Sequence, residues 1–504
     1  MKNALGRDVP GQPYLGLQAI KRIEYKQTKS DKEERKDKVH YDLGSFIKTL
    51  ALEDNMTLSF HHHLRNGDFV MNQVMAEVAK SGVKNLTICA SSIFPVHAPL
   101  VALIEQKTIT KIIASYVSGP VADAISEGKV EEVCLLQTHG YRATSIMSEE
   151  TPIDIAFIAA PACSPDGNIT GSMGPSSCGV LGYAIADAWY AKQVVAVTDF
   201  LVDVLDPEIP SVCVDDIVKV DRIGDPDGIV SGTTKITRDP VGLRIAKLTS
   251  EFMKATGLLK NGFTFQTGAG GISLAVAKEI HELCLDENIK GKFASGGITS
   301  YLVKMLEDGV FEELYDVQCF ELDAVESIKR NPNHHKMSAA KYADIHDPDN
   351  IVNQLDFVIL GATEIDLDFN VNVTTGSDGR IMGGSGGHAD TAYGAKFAII
   401  VSKLVSSRIS VVVDQVTTIT TPGETVDVLV TDRGIAIHPR HQALIDHLKA
   451  TTNLPIVEIQ TLYQRALALT GIPEKTQNLG RIVALSQYRD GTILDVIRQI
   501  DNID

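Results

Sequence analysis

Short apolar runs alternate with amphipathic stretches along most of the chain. Asn66 to Ser81 carries Phe69, Val70, Val74, Met75 and Val78 at helical spacing, and Leu86-Thr87-Ile88-Cys89-Ala90 follows as a buried strand. The pattern predicts a helix over 99–106, strands over 112–117 and 153–160, a helix over 182–191 and a strand over 194–198. After a Gly/Asp/Pro-rich join at 221–227 the pattern runs a second time: helix 243–256, strand 262–266, helix 274–284, strand 292–295. Strands of this kind separated by helices predict an α/β protein whose mainly parallel sheets are covered on both faces.

The second pass repeats the first. Asp154, Asp166 and Asn168 correspond to Asp356, Asp368 and Asn370 at a common offset of 202, and Ala160 corresponds to Ala362. Phe60 and Phe265, then Ala90-Ser91 and Ala294-Ser295, recur in the same order at offsets of 205 and 204. Self-similarity at a nearly fixed period signals a repeated structural unit. The expected division is an N-terminal arm over 1–44, one α/β domain over 45–225 and a second over 226–504. Within the arm, Lys26 to Lys38 is almost wholly polar and reads as an exposed segment or solvated helix. The stretch around Gly11-Gln12-Pro13-Tyr14 reads as extended and suited to packing on a neighbouring subunit.

Composition narrows the class. The 504 residues exceed one ordinary core, and 44% apolar with 22% charged residues is usual for a globular protein. A formal charge of −17 disfavours nucleic acid as a partner. No uncharged apolar stretch reaches the roughly 20 residues of a membrane helix, and Met1 to Asp8 contains no apolar signal-peptide region. The seven scattered cysteines include no C-x-x-C pair, which fits reduced thiols in a cytosolic enzyme.

Two glycine-rich stretches carry the candidate chemistry. Gly383-Gly384-Ser385-Gly386-Gly387-His388-Ala389-Asp390 and Gly268-Ala269-Gly270-Gly271 each follow an apolar run. Backbone without a Cβ turns sharply and brings bare amides to a ligand, either a phosphate or an oxyanion forming on a carbonyl.

These stretches, with Asp356–Asn370, Gly383–Ala395 and Thr420-Thr421-Pro422-Gly423-Glu424-Thr425-Val426-Asp427, resemble the second half of the CoA-transferases. That superfamily has a tandem fold related to ribose-5-phosphate isomerase. With His61-His62-His63-Leu64-Arg65-Asn66-Gly67-Asp68 and Phe265–Gly271 the resemblance spans nearly the whole chain and is close to the citrate lyase α-chain branch. The resemblance implies exchange of an acetyl for a citryl group on an acyl-carrier thioester, with release of acetate. It further implies a β chain that cleaves the citryl carrier, and a γ chain, the acyl carrier protein, bearing a dephospho-CoA-derived prosthetic arm. Free CoA thioesters would substitute for the arm, and a homo-oligomer within a larger cytoplasmic complex is expected.

One departure bears on mechanism. Many relatives attack the thioester with a glutamate soon after the strand corresponding to 292–295. Here Ala294 to Lys304 contains no acid, and the next is Glu307. Direct attack by a carboxylate of the substrate, without a covalent enzyme–CoA intermediate, is therefore expected. Glu364 is the alternative nucleophile.

For oxyanion and catalytic contacts the candidates are Ser295, Gly296 and Gly297. For the carrier arm they are Gly268, Gly270, Gly271, Gly384, Ser385, Gly386 and Gly387. For the anionic substrate they are Arg65, His61, His388 and Asp390, with Arg142 and Arg380 behind them; Asp390 also suits a helix cap. The histidine run lacks further ligands at zinc spacing, so no metal is expected. If the three histidines continue a strand, at most two share a face. Rival readings are an acyl-CoA hydrolase, a transferase for another acid such as citramalate, and a non-catalytic effector-sensing protein.

Overall fold

The computed structural model describes residues 1–20, 22–26, 29, 37–230, 234–472 and 480–500. The polar run expected to be exposed between Lys26 and Lys38 lies mostly outside the described residues. Two large sheets form the framework. The first has the order Val39–His40, Asp216–Lys219, Gln193–Thr198, Ile155–Ala160, Thr57–Phe60, Leu86–Ala90, Ile109–Ala114, Cys134–Leu136, Ile482–Gln487, Ile493–Arg498. The second runs His334–Lys336, Phe311–Cys319, Gly291–Ile298, Thr264–Thr267, Phe357–Leu360, Phe397–Val401, Val428–Thr431, Gly434–Ile437, Ile456–Val457. All neighbours pair in parallel except Ile482–Gln487 with Ile493–Arg498 and Val428–Thr431 with Gly434–Ile437. Central strands such as Phe357–Leu360 are buried at every position, as a sheet covered on both faces requires.

The internal repeat extends to individual hydrogen bonds. The Asp154 carboxylate accepts the Thr57 amide at 2.8 Å and pairs with Lys192 at 2.7 Å. Its counterpart Asp356 accepts the Thr264 amide at 2.9 Å and pairs with Lys396 at 2.6 Å. One strand further on, Asp215 accepts the Val194 amide and Asp427 accepts the Ala398 amide. Each lobe thus uses the same carboxylates to satisfy strand-end donors.

Of the elements whose bounds differ from those the periodicity suggests, two bear on the crevice between the lobes. The helix expected from Asn66 starts at Val70, because Arg65–Gly67 forms a 3-10 turn in which a Cβ on Gly67 would collide with Asp225 and Gly228. The strand expected over 112–117 is Ile109–Ala114. Tyr116 and Val117 leave that sheet, and the Val117 amide donates to Gly383 of the second lobe.

The chain after 226 does not fall wholly into the second sheet. The hairpin Ile482–Gln487/Ile493–Arg498 adds to the first sheet against Cys134–Leu136, burying Val483, Ala484, Leu494 and Ile497. The N-terminal stretch packs on this same chain. Tyr14 exchanges backbone hydrogen bonds around Ile493, donates its hydroxyl to Glu424, and stacks edge-on with Tyr488. Arg7 bridges Asp495 and the carbonyls of Val416 and Thr417. Among the described residues no helix is long and apolar enough to cross a membrane, and the seven cysteines are buried free thiols.

Candidate active site

Parallel strands end together, so their following loops gather at one edge of each sheet. Here the two edges face each other across a crevice of about 450 Å³. The first lobe supplies His62, Arg65, Phe94, Tyr116, His139 and Tyr183. The second supplies Gln266 to Gly270, Gly297, Phe320, Tyr342, Gly361 and Gly384 to His388.

The glycine loop at 383–387 reaches across to the first lobe. The Gly386 amide donates to Ser115 O at 3.0 Å, and the His139 amide donates to Gly386 O at 2.8 Å. Gly386 has φ +52, a left-handed conformation that a Cβ disfavours. A Cβ on Gly384 would run into Ser115 O, and one on Gly387 would stand 2.6 Å from the Tyr342 hydroxyl. The amides divide into two groups. Those of Gly268 and Gly386 are spent on the carbonyls of Ile359 and Ser115. Among the described residues, the amides of Ala269, Gly270, Ser385 and Gly387 meet no protein acceptor. Of the glycines expected as donors, Gly268 and Gly386 therefore shape the wall, whereas Gly270 and Gly387 leave a donor available.

Arg65 enters from the 3-10 turn with φ +52, rare for a side-chain-bearing residue. Its guanidinium carbon lies 4.4 Å from the Phe320 ring centroid and 5.4 Å from that of Phe94. No carboxylate lies within ion-pair distance of it among the described residues. Burial makes the bare cation costly and pulls its pKa down. An anion entering the crevice would relieve that cost.

The histidines cluster, because the chain turns after Phe60 instead of continuing as a strand. The ring centroids of His61 and His63 are 5.9 Å apart; His62 stacks on His139 at 5.7 Å and on Tyr183 at 4.9 Å. Burial lowers the pKa of His61 to about 4 and of His139 to about 3, and takes His62 well below its usual value. Burial thus favours the uncharged form of these rings. His62 Nδ1 is 2.5 Å from Ser91 Oγ. His388 is fully engaged, with Nδ1 2.8 Å from Thr421 Oγ1 and Nε2 3.0 Å from Gly361 O, so it fixes the glycine loop from behind. Among the described residues no group of three or more His, Cys, Asp or Glu side chains is placed to hold a metal ion.

Several expected site residues do not line the crevice. Ser295 is buried and donates to Gln266 Oε1 at 3.1 Å. A Cβ on Gly296 would meet the Gln266 amide at 2.8 Å, and Gly271 opens the helix Gly271–Glu287 against Lys235. His61 stands behind His62, 3.8 Å from the Asp187 carboxylate. Asp390 does not cap its own helix, whose N-cap is Gly387; it joins the lobes by accepting from Thr138 Oγ1 and from the first-turn amide of Gly140, each at 2.9 Å. Burial raises its pKa to about 6, against the opposing pull of Arg489. Glu364 is consumed by Asn372 Nδ2 at 2.9 Å and by the Thr417 amide and hydroxyl at 2.8 and 3.0 Å. A carboxylate so engaged and away from the crevice is no nucleophile for a ligand there. Arg142 is buried in a two-point pair with Asp187, both contacts 2.9 Å, and Arg380 pairs at the surface with Asp123.

His139, Tyr183, Phe94 and Phe320 are crevice residues that sequence reasoning missed. For His139 a signal existed: Gln137-Thr138-His139-Gly140 is polar directly after an apolar strand.

Comparison with known proteins bears on this arrangement. Residues 36–500 match the family described as "Citrate lyase, alpha subunit (CitF)". The citrate lyase alpha chain of Haemophilus influenzae is 45% identical over 462 residues, 91% of this chain and 92% of that one. The corresponding chain of Escherichia coli K12 is 44% identical, covering 94% and 93%. A crystal structure from Streptococcus mutans, described as an alpha subunit of citrate lyase in complex with citrate, superposes with a TM-score of 0.94 at 42% identity, covering 99% and 98%. An acyl-CoA transferase of Escherichia coli O157:H7 shares the fold at a TM-score of 0.53 and 15% identity, covering 79% and 88%.

Proposed function

The chain belongs to the citrate lyase alpha subunit family, and from that premise we propose that the crevice exchanges acyl groups between a carrier-borne thioester and citrate. The observation that carries the reading is an Arg65 guanidinium without a carboxylate in the same crevice as Gly270, Ser385 and Gly387, whose amides meet no protein acceptor among the described residues. Arg65 anchors a carboxylate of citrate, as a planar guanidinium does bidentately. The free amides stabilise the oxyanion that develops on the acyl carbonyl.

No protein nucleophile is required. Citrate carboxylates are ionised at neutral pH, since such groups titrate near roughly 4. One of them, held about 3–3.5 Å from the acetyl carbonyl, attacks it directly. The C–S bond breaks to give a thiolate and a mixed citric–acetic anhydride. The thiolate then attacks the citryl carbonyl, and acetate leaves. Close packing supports the absence of an enzyme carboxylate here: a side chain at Gly296 would collide with Gln266, and one at Gly297 with Phe320. Closure between lobes keeps water from the anhydride.

The thioester is a substrate brought by a partner, which we take to be an acyl carrier chain with a dephospho-CoA-derived arm. A lyase chain would act on the product, within an oligomeric cytoplasmic complex. Purified protein should release acetate from acetyl-CoA only when citrate is present, with little hydrolysis in its absence. A panel of di- and tricarboxylic acids, citramalate included, tests the acid specificity, and equal turnover without any acid would support a hydrolase instead. Borohydride or hydroxylamine added during turnover should trap no glutamyl thioester. A labelled glutamate would overturn direct attack.

A hydrogen bond to a charged group contributes about 1.5–3 kcal/mol. Arg65→Ala should therefore raise KM for citrate about 10–100-fold while KM for acetyl-CoA changes little. An unchanged citrate KM removes Arg65 from the acid site.

A further inference from the structure

The strands Gly291–Ile298 and Phe311–Cys319 lose register between Gly296 and Gly297: Gly296 faces Asp316, but Gly297 faces Gln318. One extra residue, Val317, thus sits on the longer strand. A bulge of this kind re-aims every side chain after it. Two consequences reach the crevice. Gln318 Nε2 donates to His62 O of the first lobe at 2.9 Å. Phe320, whose amide donates to Ile298 O at 2.8 Å, lays its ring beside Arg65, 4.4 Å from centroid to guanidinium carbon.

The same ring occupies the space beside Gly297. A Cβ built there would stand 2.5 Å from Cε2 and 2.7 Å from Cε1 of Phe320, well inside van der Waals contact. Relief would require the ring to move, and the ring is what flanks Arg65. With Phe94 at 5.4 Å on the other contact, the guanidinium is held by aromatic faces and not by a counter-ion, which leaves its N–H fork unpaired.

We propose that Phe320 is a positioning residue that presents Arg65 to a polycarboxylate substrate, and that residue 297 is glycine to leave room for its ring. This rests on the reading of Arg65 as the carboxylate anchor. The acid would then be selected through the Gly297–Phe320–Arg65 contact chain, while the acyl donor is held by the glycine loops.

The test is steady-state kinetics with citrate and acetyl-CoA on Phe320→Leu, Gly297→Ala, the double variant and Arg65→Ala. Each of the first two should raise the citrate KM about 5–10-fold, with kcat and the acetyl-CoA KM within about twofold of the parent. Because both changes break one contact, the double variant should be no worse than the poorer single one. Multiplying effects, or equal losses toward citrate and acetyl-CoA, would mean general damage and overturn the proposal. Arg65→Ala separates the two claims. If it raises the citrate KM and Phe320→Leu does not, the positioning role fails and the anchor stands. If Arg65→Ala leaves the citrate KM unchanged, the anchor fails and takes the positioning role with it.

Discussion

Gly386→Val should lower transfer activity about 10²–10³-fold, the loss expected when one oxyanion donor is removed. The residue lies at φ +52, where a β-branched side chain is a genuine outlier costing about 1–3 kcal/mol. Its own amide is already committed to Ser115 O and its carbonyl to the His139 amide. Strain there would therefore unseat the loop from the first lobe and shift the free amides of Ser385 and Gly387 together. Space is not the obstacle, since the nearest atom to a Cβ is His139 Nε2 at 3.4 Å. Gly386→Ala, with a smaller conformational penalty, should retain an intermediate rate. At about 2–4 °C per kcal/mol for domains of 150–250 residues, the melting midpoint of the valine variant should fall by only several degrees. Activity near that of the parent would remove this loop from the chemistry.

Arg142→Ala should destabilise the protein by about 3–5 kcal/mol, the usual result of leaving one partner of a buried ion pair uncompensated. Arg142 and Asp187 are 2% and 0% exposed, so water cannot replace the missing charge. Ser59 and His61 complete the cluster beneath the histidine stack. Replacing both members, as Arg142→Met with Asp187→Leu, should recover most of the loss, because no lone charge remains buried. The pair also sets a pH limit. Burial alone would raise the Asp187 pKa, but Arg142 and His61 outweigh it and the net shift is downward. A carboxylate with a depressed folded pKa contributes stability above its unfolded value, near about 4, and loses it as pH falls through the folded value. Thermal melts at falling pH should show the parent losing this contribution in that acid range and the double variant lacking it. An Arg142→Ala midpoint within 2 °C of the parent would contradict the account.

The repeated α/β pattern was legible wherever local sequence determines the outcome. Leu86–Ala90 is a strand because Leu86, Ile88, Cys89 and Ala90 bury between neighbours on both sides. Asp154 and Asp356 recur because each satisfies the same strand-end amide. Close backbone approach holds at Gly384 and Gly387, where a Cβ would collide with Ser115 and Tyr342, but not at Gly268 or Gly270. What the glycine stretches approach was not legible, since the partner of an N–H at 268 or 386 depends on register with strands far away in the chain. His62, and not the expected His61, lines the crevice because a turn after Phe60 replaced strand alternation. Glu364 looked reactive as an isolated acid, and only the fold brings Asn372 and Thr417 to saturate it. Phe320 carried no signal at all: its neighbours Arg65 and Gly297 come from different lobes, and a bulge decides where its ring points.

The final hairpin fills the outer positions of the first sheet, beside a strand completed some 350 residues earlier. During synthesis Cys134–Leu136 therefore offers an unpaired edge until residues 482–487 have been translated. Such an edge invites pairing with another nascent molecule. The first sheet is consequently finished only after the strands of the second have been made, and its assembly waits on the hairpin at 482–498.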